Sequence, residues 1–189
     1  MSQPLIVTPY QPRWQHRGAE LAEQLHAALG PLAHRVEHIG STSIPGMAAK
    51  PVFDLQVSVP DLDAAAAAFD EPLVTFGLVR RPWEHDHVPA GRPDDPRLWR
   101  KRLWGKAEPG GERIIVHARL TGSPNERLAL LFRDWFRAHP EAVPAYGLFK
   151  LRLAEAVGDL AVYTDVKDSV VDLVVVLAEP WATLTGWMP

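Results

Sequence analysis

The hydrophobic and polar positions of this chain change period several times, and each change marks an element. Trp14, Gly18, Leu21, Leu25 and Leu29 recur every three or four residues and stop at Gly30-Pro31, which predicts a first helix after the extended lead-in "VTPYQP". "HRVEHIG" alternates as a short strand ending at Gly40. In "PVFDLQVSV" the alternation is strict: Phe53, Leu55, Val57 and Val59 share an apolar face, while Val52, Asp54, Gln56 and Ser58 share a face that carries polar chemistry. Asp61 caps an Ala-rich helix over Leu62 to Phe69, and "LVTFGLV", Leu73 to Val79, reads as another strand.

From Arg80 to Lys106 the period is lost; the stretch reads as a long loop plus an edge strand near Leu98 to Trp104. "ERIIVHARL" resumes as a strand. "SPNE", Ser123 to Glu126, combines Pro at the first helical position with a Ser-x-x-Glu reciprocal cap, and Leu128, Leu131, Phe132, Trp135 and Phe136 give the helix that follows an apolar face. A second helix is expected from Pro140 to about Val157, stopped by Gly158. A last one is expected from Asp165 to Ala178, with Val166, Val170, Leu173, Val174 and Leu177 on one side. Strands dominate the first part and helices the last, so the fold class expected is α+β, or mixed α/β, in a single domain with a core of about 1–122 and a helical part of about 123–189.

Composition narrows the partners. The chain has 189 residues and no Cys, so it carries neither a disulfide framework nor a thiolate metal site. A formal charge of −3 and a pI near 6.2 argue against a general nucleic-acid binder. The apolar run Val170 to Ala178, interrupted by Asp172, is far shorter than the roughly 20 residues a spanning helix needs. Met1 to Gly18 is polar and Pro-rich rather than signal-like, so the expected location is the cytoplasm, with no membrane partner.

The candidate chemistry centres on "HIGSTSIPGMAAKPVFDLQVSVP", His38 to Pro60. A Gly-Ser turn offers backbone N–H groups and a hydroxyl to a phosphate, and a carboxylate on the adjacent strand can hold a divalent cation against it. For Gly40, Ser41 and Thr42 the plainer reading is an ordinary strand-to-helix turn, and for Asp54 a carboxylate satisfied by backbone donors. That second alternative is uncomfortable in mid-strand among Val, Phe and Leu, where an unpaired carboxylate is costly. His85-Asp86-His87 can be read as a transition-metal site or as a solvated loop. The loop is the stronger reading because no further ligand has a recognisable spacing. Arg97, Arg100, Lys101, Arg102 and Lys106, interleaved with Trp99 and Trp104, read as a small basic patch forming a phosphate-side wall, limited by Asp94 and Asp95.

"VEHIGSTSIPGMAAKPVFDLQVSV" resembles the signature of the GrpB family, bacterial proteins similar to the nucleotidyltransferase superfamily, in which a Gly-Ser turn precedes an Asp-x-Asp strand. "PYQPRWQHRGAELAEQL", "VHARLTGSPNERLALLFRDWFRAHPEAVPAYGLFKLRLA" and "YTDVKDSVVDLVV" resemble the family's opening helix, second signature and closing Tyr-x-x-x-Lys helix. The resemblance implies a nucleotidyltransferase-like mixed sheet flanked by helices, with a helical C-terminal half. It implies that Gly40, Ser41 and Thr42 face the phosphates of a nucleotide, that Lys50 offsets their charge, and that Asp54 is the catalytic carboxylate and a magnesium ligand. His117 and Lys150 match family positions and are carried as substrate-binding candidates; Arg133, Asp134, Tyr146 and Lys167 match others whose roles the match leaves open. For Arg133 with Asp134, and Tyr146 with Lys150, structural ion or helical pairs stand as equal readings.

The pattern also departs from the family's. The second metal position is Gln56, an amide that brings no charge, and the later strand Ile114 to Leu120 offers His117 but no carboxylate. Glu37, Glu112 and Asp134 are the residues left to supply a third carboxylate. Two functions are therefore expected to compete: magnesium-dependent nucleotidyl transfer to an acceptor, and a catalytically silent domain that binds a nucleotide or another phosphate-bearing molecule such as a coenzyme A precursor. The resemblance extends to domains fused to some bacterial dephospho-coenzyme A kinases, which makes a kinase the protein partner of the second reading.

Overall fold

The structure, a computed structural model, describes residues 5–92, 95–106 and 112–189. It is built on a five-stranded mixed sheet. Strands β1 (Arg35–Ile39), β2 (Val52–Val59), β3 (Leu78–Arg81), β4 (Lys101–Lys106) and β5 (Arg113–Leu120) lie in the order β1-β2-β5-β4-β3. β2 and β5 pair in parallel and every other neighbour is antiparallel. Helices α1 (Arg13–Leu29) and α2 (Leu62–Val74) cover one face; α3 (Pro124–Ala138), α4 (Val143–Val157) and α5 (Leu160–Thr185) form the helical part on the other side.

The strict alternation of β2 divides the two halves. Phe53, Leu55, Val57 and Val59 join Ile114, Val116 and Ala118 of β5 and the α1 stripe Trp14, Leu21, Leu25 and Leu29 in one core. Gly18 belongs to that stripe because a Cβ there would lie 2.0 Å from His38 Nδ1, so the helix presses backbone against the imidazole. Ile44 and Met47, in the loop after the Gly-Ser turn, are wholly buried in the second core, with Leu131, Phe132, Phe136, Tyr146 and Val174. That loop therefore ties the turn to the helical part.

Three expected elements differ. Leu73 and Val74 belong to α2, not to a strand: the helix carries Pro72 in its last turn, wholly buried Leu73 sits one helical turn after Phe69, and a turn through Gly77 intervenes before β3 begins at Leu78. β4 is internal, and the edge strands are β1 and β3. α5 begins five residues before Asp165 and runs past Ala178, with Asp159 as its cap. Its buried side holds Tyr163, Asp172, Val174, Val175 and Ala178, so Val166, Leu173 and Leu177 of the expected stripe are exposed. The phase is set by Asp172, which turns inward to accept from His87 Nε2 and from the Ala90 N–H, both at 2.9 Å. No helix among the described residues is long and apolar enough to cross a membrane.

The cap of α3 is only half reciprocal. Ser123 Oγ accepts from the Glu126 N–H, while the Glu126 carboxylate accepts from the Gly122 N–H at 2.6 Å, from Arg35 Nη2 at 3.0 Å and from the Ser58 hydroxyl. One buried carboxylate thereby satisfies the helix start, β1 and β2 together. Glu126→Ala would orphan these donors, and it is expected to destabilise the fold by about 2–4 kcal/mol, read as a lower urea midpoint. An unchanged midpoint would show that the carboxylate is not what joins α3 to the sheet.

Candidate functional site

Gly40 ends β1 with φ at +69°, and an added Cβ would lie 2.6 Å from Asp54 Oδ2, so both conformation and space require glycine. Ser41–Ser43 then form a single 3-10 turn. The Thr42 hydroxyl donates to the Val52 carbonyl at 2.8 Å and accepts from His38 Nε2 at 2.9 Å. Burial lowers His38 to about 4, so it works as a neutral donor. Thr42 is therefore spent on holding the turn against β2, the Ser43 carbonyl accepts from Arg137, and Ser41 is the residue of the turn whose side chain meets a charged group.

That group is Lys150, from α4. Its ammonium donates to Ser41 Oγ at 2.8 Å, lies 4.9 Å from the Tyr146 ring centroid, and is 1% exposed. Among the described residues it has no carboxylate within ion-pair distance. Burial, reinforced by the charges of Lys167 and Lys50, lowers it to about 7. Lys50 lies 5.0 Å from the Tyr163 ring centroid and is likewise lowered by burial, with Asp54 opposing. Lys167 pairs with Asp168 at 2.8 Å. Tyr146 and Lys150 thus form an (i, i+4) pair on the inner face of α4, beneath the turn.

Asp54 faces His117 across β2 and β5, with Oδ1 at 3.3 Å from Nε2. Burial raises Asp54, but the hydrogen bond and charge of His117 and the charge of Lys50 outweigh it, so the net shift is downward. His117 is lowered, chiefly by burial. Gln56 is not turned to this pair. Its Oε1 accepts from Arg119 Nη1 at 2.5 Å and its Nε2 donates to the Glu126 carbonyl at 3.2 Å, so both ends of the amide are engaged and it offers no oxygen to a metal beside Asp54.

The cleft of about 650 Å³ that contains these groups runs from Lys50, Lys150 and Tyr163, past Asp54 and His117, to Trp99 and Trp83. Four of its lining carboxylates already face partners: Asp54 meets His117, Asp168 meets Lys167, Asp172 meets His87, and Asp86 meets Lys101 at 2.6 Å and Arg119 at 2.8 Å. Burial raises Asp86, yet Arg119 and Lys101 hold it well below its ordinary range. The other carboxylates considered for a third ligand lie elsewhere: Glu37 and Asp134 pair with Arg133, and Glu112 with Arg17.

Among the described residues no group of three or more His, Asp or Glu side chains is placed to hold a metal ion. This donor set does not fit magnesium at Asp54 and Gln56, because one carboxylate among lysines and a committed amide do not compensate a hard dication. In the His85-Asp86-His87 motif both histidines are exposed, as the loop reading expects, while Asp86 turns inward to its ion pairs and His87 reaches Asp172. The basic run is also consumed: Arg97 pairs with Asp95, Arg100 and Arg102 with Asp63, and Trp104 lies in the opposite core. Only Lys101 and Trp99 of that run reach the cleft; Asp94 lies outside the described residues. Sequence reasoning missed Tyr163 and Asp172 as cleft residues and read Asp86 only as part of a loop motif, whereas Trp99, read as part of a phosphate-side wall, does line the cleft. The signal for Asp172 was present, as the one charge inside an apolar run.

The fold and cleft define an α+β protein with a lysine-lined pocket between a mixed sheet and its C-terminal helices. The chain belongs to the GrpB family: the family described as "GrpB protein" matches residues 4–176. It is similar to a conserved GrpB protein from Enterococcus faecalis, whose crystal structure superposes with a TM-score of 0.68 at 28% identity, covering 97% of this chain and 100% of that one. It is 38% identical to a dephospho-CoA kinase of Mycolicibacterium paratuberculosis and 34% identical to one of Mycobacterium tuberculosis, each match covering 98% of this chain and 49% of the kinase. The chain spans about half the length of these curated relatives.

Gly40 can be tested against Gly30, which shares a positive φ of 67° but has nothing within 4 Å of an added Cβ. Gly30→Ala is expected to cost about 1 kcal/mol in urea denaturation, and Gly40→Ala at least about 1 kcal/mol more, because Asp54 must also move. Equal losses would mean that Asp54 does not press on the turn.

Proposed function

We propose that the chain binds a phosphate-bearing small molecule, a nucleotide or a coenzyme A precursor, at the lysine end of the cleft, and that it acts there as a binding domain rather than a metal-dependent nucleotidyltransferase. The observation that carries this reading is Lys150: a buried ammonium with a hydroxyl as its acceptor, repelled by two further lysines, and opening onto a cleft beside a Gly-Ser turn. A phosphate group supplies the missing counter-charge and accepts from Lys150, Lys50 and the Ser41 hydroxyl together. The printed name of the kinase relatives supports including coenzyme A precursors among the ligands, and their length supports a kinase domain as the protein partner. The cytoplasm is the setting proposed, since that is where such phosphorylated metabolites are handled.

Nucleotidyl transfer asks for more than this cleft offers. It relies on carboxylates that hold two metals and orient the acceptor. Here Asp54 is flanked by His117 and Lys50, and Gln56 is engaged by Arg119.

The reading is tested by calorimetric titration with ATP, pyrophosphate and coenzyme A precursors, with and without magnesium, on the wild type and Lys150→Met. A bound phosphate favours the charged lysine and raises its pKa from about 7. At pH 8, where the free protein holds Lys150 mostly neutral, binding should therefore take up close to one proton. Lys150→Met should abolish the uptake, weaken binding at least tenfold, and raise the melting temperature by removing the cost of burying, and so deprotonating, a lysine. Absence of binding by all three probe classes, or binding that survives Lys150→Met unchanged, would remove the proposal.

A further inference from the structure

Helix α5 turns an apolar stripe to solvent. Val162, Val166, Leu173, Val176, Leu177 and Leu184 are between 39% and 87% exposed. At about 100° per residue they fall, with Ser169 and Pro180, within an arc of roughly 100° on one side of the helix. Val174, Ala178 and Ala182, on the opposite side, pack in the second core, so the stripe points straight away from the body of the protein. Aliphatic side chains of this number and size present on the order of 500 Å² of apolar surface, the upper end of what a monomer keeps in one patch.

The charges of α5 are drawn off this stripe. Asp159 caps the helix, Lys167 pairs with Asp168, Asp172 turns inward to His87, and Glu179 holds Arg127. Asp165 borders the stripe, and Ser169 is the polar side chain within it. From Val162 to Leu184 the surface is therefore uncharged over about 33 Å. An anionic membrane surface does not suit it, because a helix that lies on one carries lysine or arginine along its edges, and α5 has Lys167 alone, already paired.

What suits it is a second uncharged stripe of the same length, which another copy of the chain supplies. Leu173 is the midpoint, 11 residues after Val162 and 11 before Leu184. An antiparallel pair centred there sets Val162 against Leu184 of the second copy, Val166 against its Pro180, and Leu173 against itself. Two stripes together bury about 1,000 Å², which reaches the size of a specific interface. A parallel pair would bring the two Asp165 carboxylates and the two helix N-termini side by side. The antiparallel pair separates those carboxylates by about 24 Å along the helix.

We propose that two copies of this chain associate through α5, antiparallel, about a two-fold axis at Leu173. Such an interface is isologous: each stripe is both the patch and its complement, so the pair closes and no surface is left to propagate a chain of copies. Tyr163, Lys167 and Val171 of the same helix line the cleft from its other side, so both clefts stay open in the pair. The proposal does not rest on the phosphate site.

The test is sedimentation of the full chain from about 1 to 100 μM, as wild type and as Leu173→Glu. The wild type should show a species of twice the 21.0 kDa chain mass at the upper concentrations. Leu173→Glu places like charges at the two-fold axis and should raise the dissociation constant at least tenfold. Leu173 is exposed in the single chain, so the variant should keep the circular dichroism of the wild type. Register is read with single cysteines, since the chain has none of its own. Leu173→Cys should cross-link to itself through a bis-maleimide that spans roughly 8–10 Å, the distance between packed helix axes. Val166→Cys should not, because its two thiols would lie about 21 Å apart along the helix. A wild type that stays monomeric at about 100 μM, or a dimer that survives Leu173→Glu unchanged, would overturn the proposal, and self-cross-linking of Val166→Cys would overturn the antiparallel pair. If a monomeric chain instead binds the separately added other half of the Mycolicibacterium paratuberculosis kinase, and loses it with Leu173→Glu, the stripe is that domain's docking face and the second copy is overturned.

Discussion

A lysine ammonium that is 1% exposed, with a serine hydroxyl as its acceptor, is the expensive element around which this molecule is arranged. Desolvating an ammonium disfavours its charged form, and neighbouring lysines add to the penalty. The fold imposes that cost through packing elsewhere. Gly147, three residues before Lys150 on α4, would place an added Cβ 3.6 Å from Ala48, so the helix lies close under the loop that follows the Gly-Ser turn. Ile44 and Met47 of that loop are buried among Phe132, Phe136 and Tyr146. The apolar contacts fix the helix, and the helix carries Lys150 beneath Ser41 whether or not an anion is present.

The sheet has two faces with different obligations. One face is a mainly apolar layer under α1 and α2, interrupted by His38 against Gly18 and by Arg102 paired with Asp63. The other carries Asp54, Gln56 and Ser58 on β2 and His117 and Arg119 on β5, and most of that polarity is closed internally. Glu126 takes Ser58 and Arg35, Gln56 links Arg119 to α3, and Asp86 collects Lys101, Arg119 and Asn125. What the closure leaves over at the cleft is the functional remainder, Lys50 and Lys150. Saturation of the surrounding network matters to recognition, because it makes the few unsatisfied groups selective for a ligand of matching polarity.

Much of the frame was legible because it is local. The period-two pattern of β2, the stripe of α1 and the Ser123 cap of α3 are each written within a few residues. The Gly-Ser turn beside an inward Asp was legible too, and the structure adds the contact that explains the glycine. What escaped depends on partners distant in sequence. Lys150 meets Ser41 across 109 positions and Asp172 meets His87 across 85, and neither pairing leaves a periodic trace. The same reason misplaced the buried face of α5, where an inward aspartate overrode the apolar count. It also misassigned Gln56, whose amide reads as a weak metal ligand in one dimension and as a bridge between Arg119 and α3 in three.

The most direct measurement is the titration of the Lys150 ammonium itself, followed by NMR through its Nζ and side-chain methylene signals, in the free protein and with saturating pyrophosphate. The account predicts a pKa of about 7 in the free protein and a clear rise with the anion bound. A Lys150 that titrates in the ordinary lysine range, and does not respond to pyrophosphate, would contradict the claim that this cleft is organised around an ammonium awaiting its counter-ion.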